Sequence, residues 1–374
     1  MKTGHPSRWY TFVLLPVSGL YRAAVGLRNF LFDLGVLPSR EFRMPVISVG
    51  NITVGGTGKT PHVEYLLRLL SGPYKTASLS RGYKRKTKGF QLAGQNSSVD
   101  EIGDESRQIS LKFPEVKVAV DSDRVNALRH LMTDDPELGV VVLDDAYQYR
   151  FVKPGLSILL IDFNQPITED HLLPAGRLRE PASGRSRADI IIVTKCPEKL
   201  KPIEYRDMTR KLNLRLHQHL FFTTVDYGEL RPVYPQKQPK SFTDFKAGKT
   251  EVLMVTGIAN PRPMKKYARS ISPKVSHLAF PDHHSFTMED MELIHENWRR
   301  LYNPDALILT TEKDAMRLQM LTPPEEIRPL IYYVDISIRF LNNEGQEFNQ
   351  IILNYVRSNK RDSILYKGAD RKKA

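Results

Sequence analysis

The sequence predicts an α/β protein: a parallel sheet with helices on both faces, a second, smaller α/β domain, and an N-terminal amphipathic helix. Three observations carry this. Between residues 45 and about 200, apolar β-branched runs alternate with helical patterns, and strands apolar along their whole length belong in a parallel sheet buried on both sides. The alternation lapses over about 203–246 and then resumes. A chain of 374 residues also exceeds one ordinary core, so two domains are expected.

The elements follow in order. The stretch WYTFVLLPVSGLY (Trp9 to Tyr21) is uncharged, aromatic at both ends and interrupted by Pro16. It falls short of the roughly 20 residues that span a bilayer as a helix, and no small-residue cleavage site follows cleanly. In the continuation RAAVGLRNFLFDLGVLP, residues Leu20, Ala24, Leu27, Leu31 and Leu34 share one helical face. Pattern alone fits either a helix in the membrane interface or a helix packed on its own domain. The strands of the first domain read as PVISV, KTASLS, VKVAVD, GVVVLDD, LSILLID and ADIIIVTK. A charged helix, EYRDMTRKLNLRL, precedes HLFFTTVDYGELRPVYP, which reads as strand, turn and strand. The second domain alternates EVLMVTGIANP, a helix near 263–271, VSHLAFPDHH, the helix MEDMELIHENWRRLY, ALILTTEKDA and LIYYVDISI. The resulting division is 1–36 membrane-interface helix, 37–215 nucleotide-binding domain, 216–246 β linker, 247–357 second α/β domain closing over the site, and 358–374 basic tail.

Composition narrows the partners without choosing one. The formal charge of +13 points to nucleic acid, a membrane surface or a phosphorylated substrate, and part of it sits in the C-terminal run. The single cysteine, Cys196, excludes an internal disulfide and reads as a small core residue at a strand end.

The sharpest motif is TVGGTGKT, residues 53–60, which leaves an apolar strand and enters a helix. A phosphate loop needs glycines that let backbone N–H groups point inward, a helix N-terminus behind them, and a lysine for the outer phosphates. Thr53, Val54, Gly55, Gly56, Thr57, Gly58, Lys59 and Thr60 supply these, making the first domain a P-loop NTPase-type sheet. Thr53 stands where the general pattern has glycine. Lys59 would neutralise β/γ-phosphate charge and the Thr60 hydroxyl would ligate Mg²⁺. A magnesium nucleotide also wants a carboxylate at a neighbouring strand end; Asp144 with Asp145 competes with Asp162, and the paired carboxylates are preferred. The remaining clusters have dull readings singly: SRGYKRK a solvated loop, GDES a helix start capped by Asp104, TEKD a base-reading signature at the wrong spacing.

In this order, SVGNITVGGTGKTP, LSRGYKRK, GDES, DSDR, LDDAYQ, LPAGRLREP, TGIANP, FPDHH and TTEKDA resemble the tetraacyldisaccharide 4′-kinase family of Gram-negative bacteria. The likeness runs from about residue 10 to 335, and Thr53 matches that family's usage. Ser106, Lys84, Ala146 and Tyr149 depart from its pattern at Pro, Gly, Gly and His. The resemblance implies transfer of the γ-phosphate of ATP, with Mg²⁺, to the 4′-hydroxyl of a tetraacylated glucosamine disaccharide 1-phosphate, giving lipid IVA in lipid A biosynthesis. It implies a peripheral enzyme at the cytoplasmic face of the inner membrane, held by its N-terminal helix, with a lipid acceptor and no nucleic acid; a monomer is expected. By position it assigns function to Asp104 and Glu105, a magnesium-side pair at Asp144 and Asp145 with Glu105 beside them, site-lining roles to Tyr83, Gln148, Arg179 and Glu180, and a catalytic histidine at His283. The mechanism that fits makes Asp104 the base and His283 its orienting partner, meeting when the domains close; His283 as the direct base is the alternative. From another class, a P-loop ATPase or GTPase switch, or a metallochaperone, shares the loop.

Overall fold

The computed structural model describes residues 8–236, 239–247 and 250–359; most of the expected basic tail lies outside them. The strands are β1 (Val46–Gly50), β2 (Thr76–Ser80), β3 (Gln91–Leu92), β4 (Lys117–Val120), β5 (Val140–Asp144), β6 (Leu156–Asp162), β7 (Ile190–Thr194), β8 (His219–Pro232), β9 (Val252–Thr256), β10 (Val275–Ala279), β11 (Leu307–Thr311) and β12 (Ile331–Phe340). The helices are α1 (Arg8–Asp33), α2 (Lys59–Leu70), α3 (Val99–Ile102), α4 (Asp104–Lys112), α5 (Arg124–Asp134), α6 (Pro202–Leu212), α7 (Phe242–Ala247), α8 (Arg262–Ile271), α9 (Met288–Arg299), α10 (Glu312–Leu318) and α11 (Gly345–Ser358).

Among the described residues the strands form one continuous sheet, ordered β10-β9-β11-β12-β8-β7-β6-β1-β5-β2-β4-β3. Neighbours run parallel except β8 with β12 and β3 with β4. The seam is β8. Its first residues pair with β7 in parallel, and Thr223 onward pairs with β12 in antiparallel. The expected strand–turn–strand is therefore a single 14-residue strand. In the middle of that stretch, next to Tyr227, β12 shifts register between Val334 and Ile336, so the irregularity is absorbed as a bulge.

The first half buries Ile47, Val49, Val63, Leu66 and Ile158 in one core, and Phe348, Ile352 and Val356 of α11 complete it. The C-terminal helix thus returns across the seam and packs on the first half, although it lies within the span assigned by sequence to the second. Its phenylalanine meets Phe340 and Phe221 with ring centroids 4.6 and 5.5 Å apart. In the second half, Leu253, Val255, Met291, Ile294 and Ile308 form a separate core.

Helix α1 continues through Pro16 rather than breaking there. One face lies on the first half: Ser18 Oγ donates to Leu172 O, Tyr21 Oη to Arg179 O, and Arg28 to Gln148 O, each at 3.0 Å. The other face turns Val13, Val17, Leu20, Leu27 and Phe30 outward. A helix packed only against its own domain shows the opposite polarity. No described helix is long and apolar enough to cross a membrane.

Candidate active site

The loop after β1 has the conformation its glycines predict. Gly55 and Gly58 sit at φ +102° and +84°, where side chains are strained, and Gly58 begins α2. Gly55 and Gly56 are exposed, and a Cβ added at either would meet no protein atom within 4 Å. The space over the loop is open to a ligand. Beneath it, Asn51 Nδ2 donates to Thr57 Oγ1 at 2.9 Å and Thr194 Oγ1 donates to Thr57 O at 2.9 Å. Lys195 reaches Gly56 O, and Val54 N donates to Arg177 O at 2.8 Å. His62 locks the turn from behind: one ring nitrogen meets Gly58 O at 2.7 Å, the other Thr223 Oγ1 at 3.0 Å. Burial lowers its pKa to about 4, so the ring is neutral and donates to the carbonyl.

The register of β1 with β5 pairs Val49 with Asp144, bringing the two acidic residues beside the loop. Asp145, at φ +49°, turns back so that Lys59 Nζ lies 3.4 Å and Arg179 Nη1 3.7 Å from its oxygens. Asp144 is buried and its Oδ1 has no hydrogen-bond partner. Burial, and then the charge of Asp145, push its pKa up to about 7 against the opposing pull of Lys59. An orphaned oxygen on a carboxylate that resists ionisation fits a cation site. Asp162, the rival, is already occupied: its oxygens take Lys195 Nζ at 2.7 Å and Asn164 N at 2.9 Å.

The second cluster joins the two halves. His283 Nδ1 is 3.2 Å from Asp104 Oδ2. The sequence reading places this contact in a closed state of the domains; here the packing of α10 on α4 holds it in place. Lys313 Nζ lies 3.1 Å from His283 Nε2 and 2.9 Å from Glu105 Oε1. Nδ1 faces both the Asp104 carboxylate, which can only accept, and Arg317 Nη2 at 3.3 Å, which can only donate; with the Lys313 ammonium donating to Nε2, the proton on Nδ1 is the arrangement that serves Asp104. Burial alone would raise the Asp104 pKa, but the Arg317 ion pair, Lys313 and His283 outweigh it and hold the carboxyl below its usual range. Glu105 contributes to the raised pKa of Asp144, which links this cluster to the phosphate loop.

Tyr83 is exposed, its ring 5.6 Å from that of His283. Gln148 and Arg179 line the loop side, where α1 crosses their backbone carbonyls. Glu180 is not on the site's surface: it is 1% exposed and its Oε2 takes Arg187 Nη2 at 2.6 Å. Its half-buried cation partner, unseen in sequence, turns it inward. Ser106 hydrogen-bonds Ser80 Oγ at 2.9 Å, so this departure from the family pattern has its own partner.

Three functional candidates were not singled out from sequence. Arg124 lies over the Tyr149 ring at 4.8 Å, and the charges of Asp144 and Asp145 act on it. Lys313 and Arg317 come from TTEKDAMR, whose first six residues carry the family likeness without revealing a role for either side chain.

The comparisons with known proteins agree along most of the chain. A family model described as "Tetraacyldisaccharide-1-P 4'-kinase" matches residues 10–357. A tetraacyldisaccharide 4′-kinase of Phocaeicola vulgatus is 49% identical over 356 residues, covering 94% of this chain and 96% of the relative. One of Bacteroides thetaiotaomicron is 46% identical over 358 residues, covering 94% of each. Among solved structures, LpxK from Aquifex aeolicus in complex with ATP superposes with a TM-score of 0.72 at 28% identity, covering 92% of this chain and 99% of that one.

Proposed function

The chain belongs to the tetraacyldisaccharide-1-P 4′-kinase family, and from that premise we propose how its residues perform the reaction. It is an ATP-dependent kinase of lipid A biosynthesis that phosphorylates the 4′-hydroxyl of tetraacyldisaccharide 1-phosphate. The observation that carries this is the family match across residues 10–357, with the open phosphate loop and the Asp104–His283 contact within it.

Residues 53–60 hold the ATP phosphates through backbone N–H groups, and Lys59 leaves Asp145 to neutralise the β/γ charge. Asp144, through its orphaned oxygen, would hold Mg²⁺, with the Thr60 hydroxyl, Asp145 and Glu105 as the further candidates, since among the described residues no three acidic or histidine side chains form a metal cage; bound there, the ion would supply charge neutralisation at the phosphates. Such ions are held by one or two carboxylates and substrate phosphates rather than by a protein cage. Phosphoryl transfer has a loose transition state, in which the attacking hydroxyl is scarcely deprotonated. A carboxylate kept ionised, as Asp104 is, orients that hydroxyl and takes its proton late. His283 donates Nδ1–H to Asp104 and fixes its angle.

The outward apolar face of α1 supports a peripheral seat on an anionic membrane, at the cytoplasmic face of the inner membrane where the acceptor lies. The positive net charge suits both acceptor and bilayer. Radiolabelled ATP, Mg²⁺ and tetraacyldisaccharide 1-phosphate in detergent, followed by lipid separation, test the whole reading. Label must appear in a lipid bearing a second phosphate; label released as inorganic phosphate at the same rate without acceptor would instead indicate a P-loop ATPase.

A further inference from the structure

We propose that Arg317 is a positioning residue that sets the geometry of Asp104 and His283 together. The inference rests on reading those two as the catalytic pair.

The guanidinium is buried and meets both members of the pair, Nη2 lying 3.3 Å from His283 Nδ1 as well as against Asp104. Nε donates to Asp104 Oδ1 at 2.9 Å and Nη2 grips Asp104 Oδ2, a two-point hold that fixes the carboxylate plane. Nη1 donates to the carbonyl of His284 at 2.9 Å. That carbonyl belongs to the turn that presents His283, whose backbone sits at φ +61°. A non-glycine residue in this region is strained and persists only where its surroundings hold it. Two further bonds do so: His283 N donates to Gly257 O at 3.0 Å, and Gly257 N donates to Asp314 Oδ2 at 2.9 Å. Asp314 Oδ1 in turn lies 3.8 Å from Arg317 Nη1.

One side chain on α10 therefore holds the carboxylate from the first half and the histidine turn from the second. A lysine could keep the charge, but a single ammonium cannot hold two oxygens of one carboxylate in plane and a carbonyl beyond it. Arg317 touches neither the phosphate loop nor the open space above it, so it acts through Asp104 and His283.

The test uses full-length enzyme in detergent with ATP and the lipid acceptor. R317K keeps the charge and is expected to melt close to the parent enzyme. Its kcat should fall about 10- to 100-fold, in line with the cost of a small misplacement of reacting groups, while the KM for ATP stays unchanged. The double variant D104N/R317K should be no slower than D104N alone, because Arg317 acts through that carboxylate. R317M removes the ion-pair partner of a buried carboxylate, leaving only Lys313 and His283 to support its charge, and lowers stability; R317M/D104N should recover the stability without recovering kcat. R317K with kcat within about twofold of the parent, beside an impaired D104N, overturns the proposal alone. Multiplicative losses in D104N/R317K overturn it too. An undiminished D104N overturns the pair itself, and the proposal with it.

Discussion

Lys59 and the Asp104–His283 pair make different demands on the chain, and their substitutions separate them. Lys59 borders the open loop and its ammonium lies 3.4 Å from Asp145, a carboxylate of the site. Lys59→Ala should lower kcat by about 10²- to 10³-fold, the range for removing one preorganised charge-stabilising group, with the melting temperature unchanged. Near-normal turnover would exclude this loop as the catalytic one. Asp104→Asn and His283→Ala should each cost about 10²- to 10⁴-fold in kcat if proton acceptance depends on the pair. Their losses should not multiply in the double variant, and ATP binding, followed by equilibrium titration, should persist in all three. Multiplicative losses at unchanged stability would assign the two residues independent roles. At this scale the sequence was informative where a motif has a backbone logic. The loop was legible because glycines at 55 and 58 have to adopt positive φ. That Glu180 turns inward could not be read, because nothing in LREP reveals that Arg187, seven residues on, pairs with it. Arg317 was missed because its partner is 213 residues away.

At the scale of elements, α1 has two faces with opposite tasks. Ser18, Tyr21 and Arg28 bind it to the loops carrying Leu172, Arg179 and Gln148, close to the phosphate site. Leu20 and Leu27 face outward, 75% and 60% exposed. The helix could be read from the spacing of its leucines, but the direction they face could not. Periodicity reports that a stripe exists, and only the docked face decides whether that stripe is core or surface. If the stripe enters the interface, each leucine contributes up to about 1.5–3 kcal/mol of burial there. Leu20→Glu combined with Leu27→Glu should then release the enzyme from anionic lipid vesicles in a sedimentation assay and raise the KM for the lipid acceptor. The KM for ATP and the melting temperature should stay put, since neither leucine packs on the body. Unchanged co-sedimentation would leave α1 as a purely structural helix. Elements β8 and α11 were the least legible: both owe their form to the seam between the halves, a long-range relation absent from local pattern.

At the scale of the whole molecule, the seam holds an unbalanced charge cluster that ties the phosphate loop's helix to the helix of Lys313 and Arg317. Lys112 Nζ at the end of α4 lies 2.7 Å from Glu64 on α2, 2.9 Å from Glu312 at the start of α10, and 2.7 Å from Asp335 on β12. Gln108 Nε2 donates to Glu64 at 2.7 Å, and Arg231 stands 3.5 Å from Asp335. Three carboxylates on one central lysine cannot all ionise freely in a buried place. Burial and the charge of Glu64 push Glu312 up to about 7, Lys112 only partly offsetting them, and burial raises Glu64 as well. The sign follows from proton binding. From its ordinary 4.5 up to about 7, Glu312 keeps its proton in the folded chain and loses it in the unfolded one. The folded state binds more protons, so this group's contribution to stability declines as pH rises through that window. Asp144, also raised to about 7, acts in the same direction. Glu312→Gln should therefore flatten the decline in urea midpoint across that range without abolishing it, and leave the protein at least as stable as the parent above it. Lys112→Met should do the reverse. Stripped of their cation, the carboxylates would cost about 3–5 kcal/mol at alkaline pH, and less where protons can replace the lysine. A Glu312→Gln variant whose urea midpoint falls as steeply as the parent's would show that the shared proton resides elsewhere in the seam.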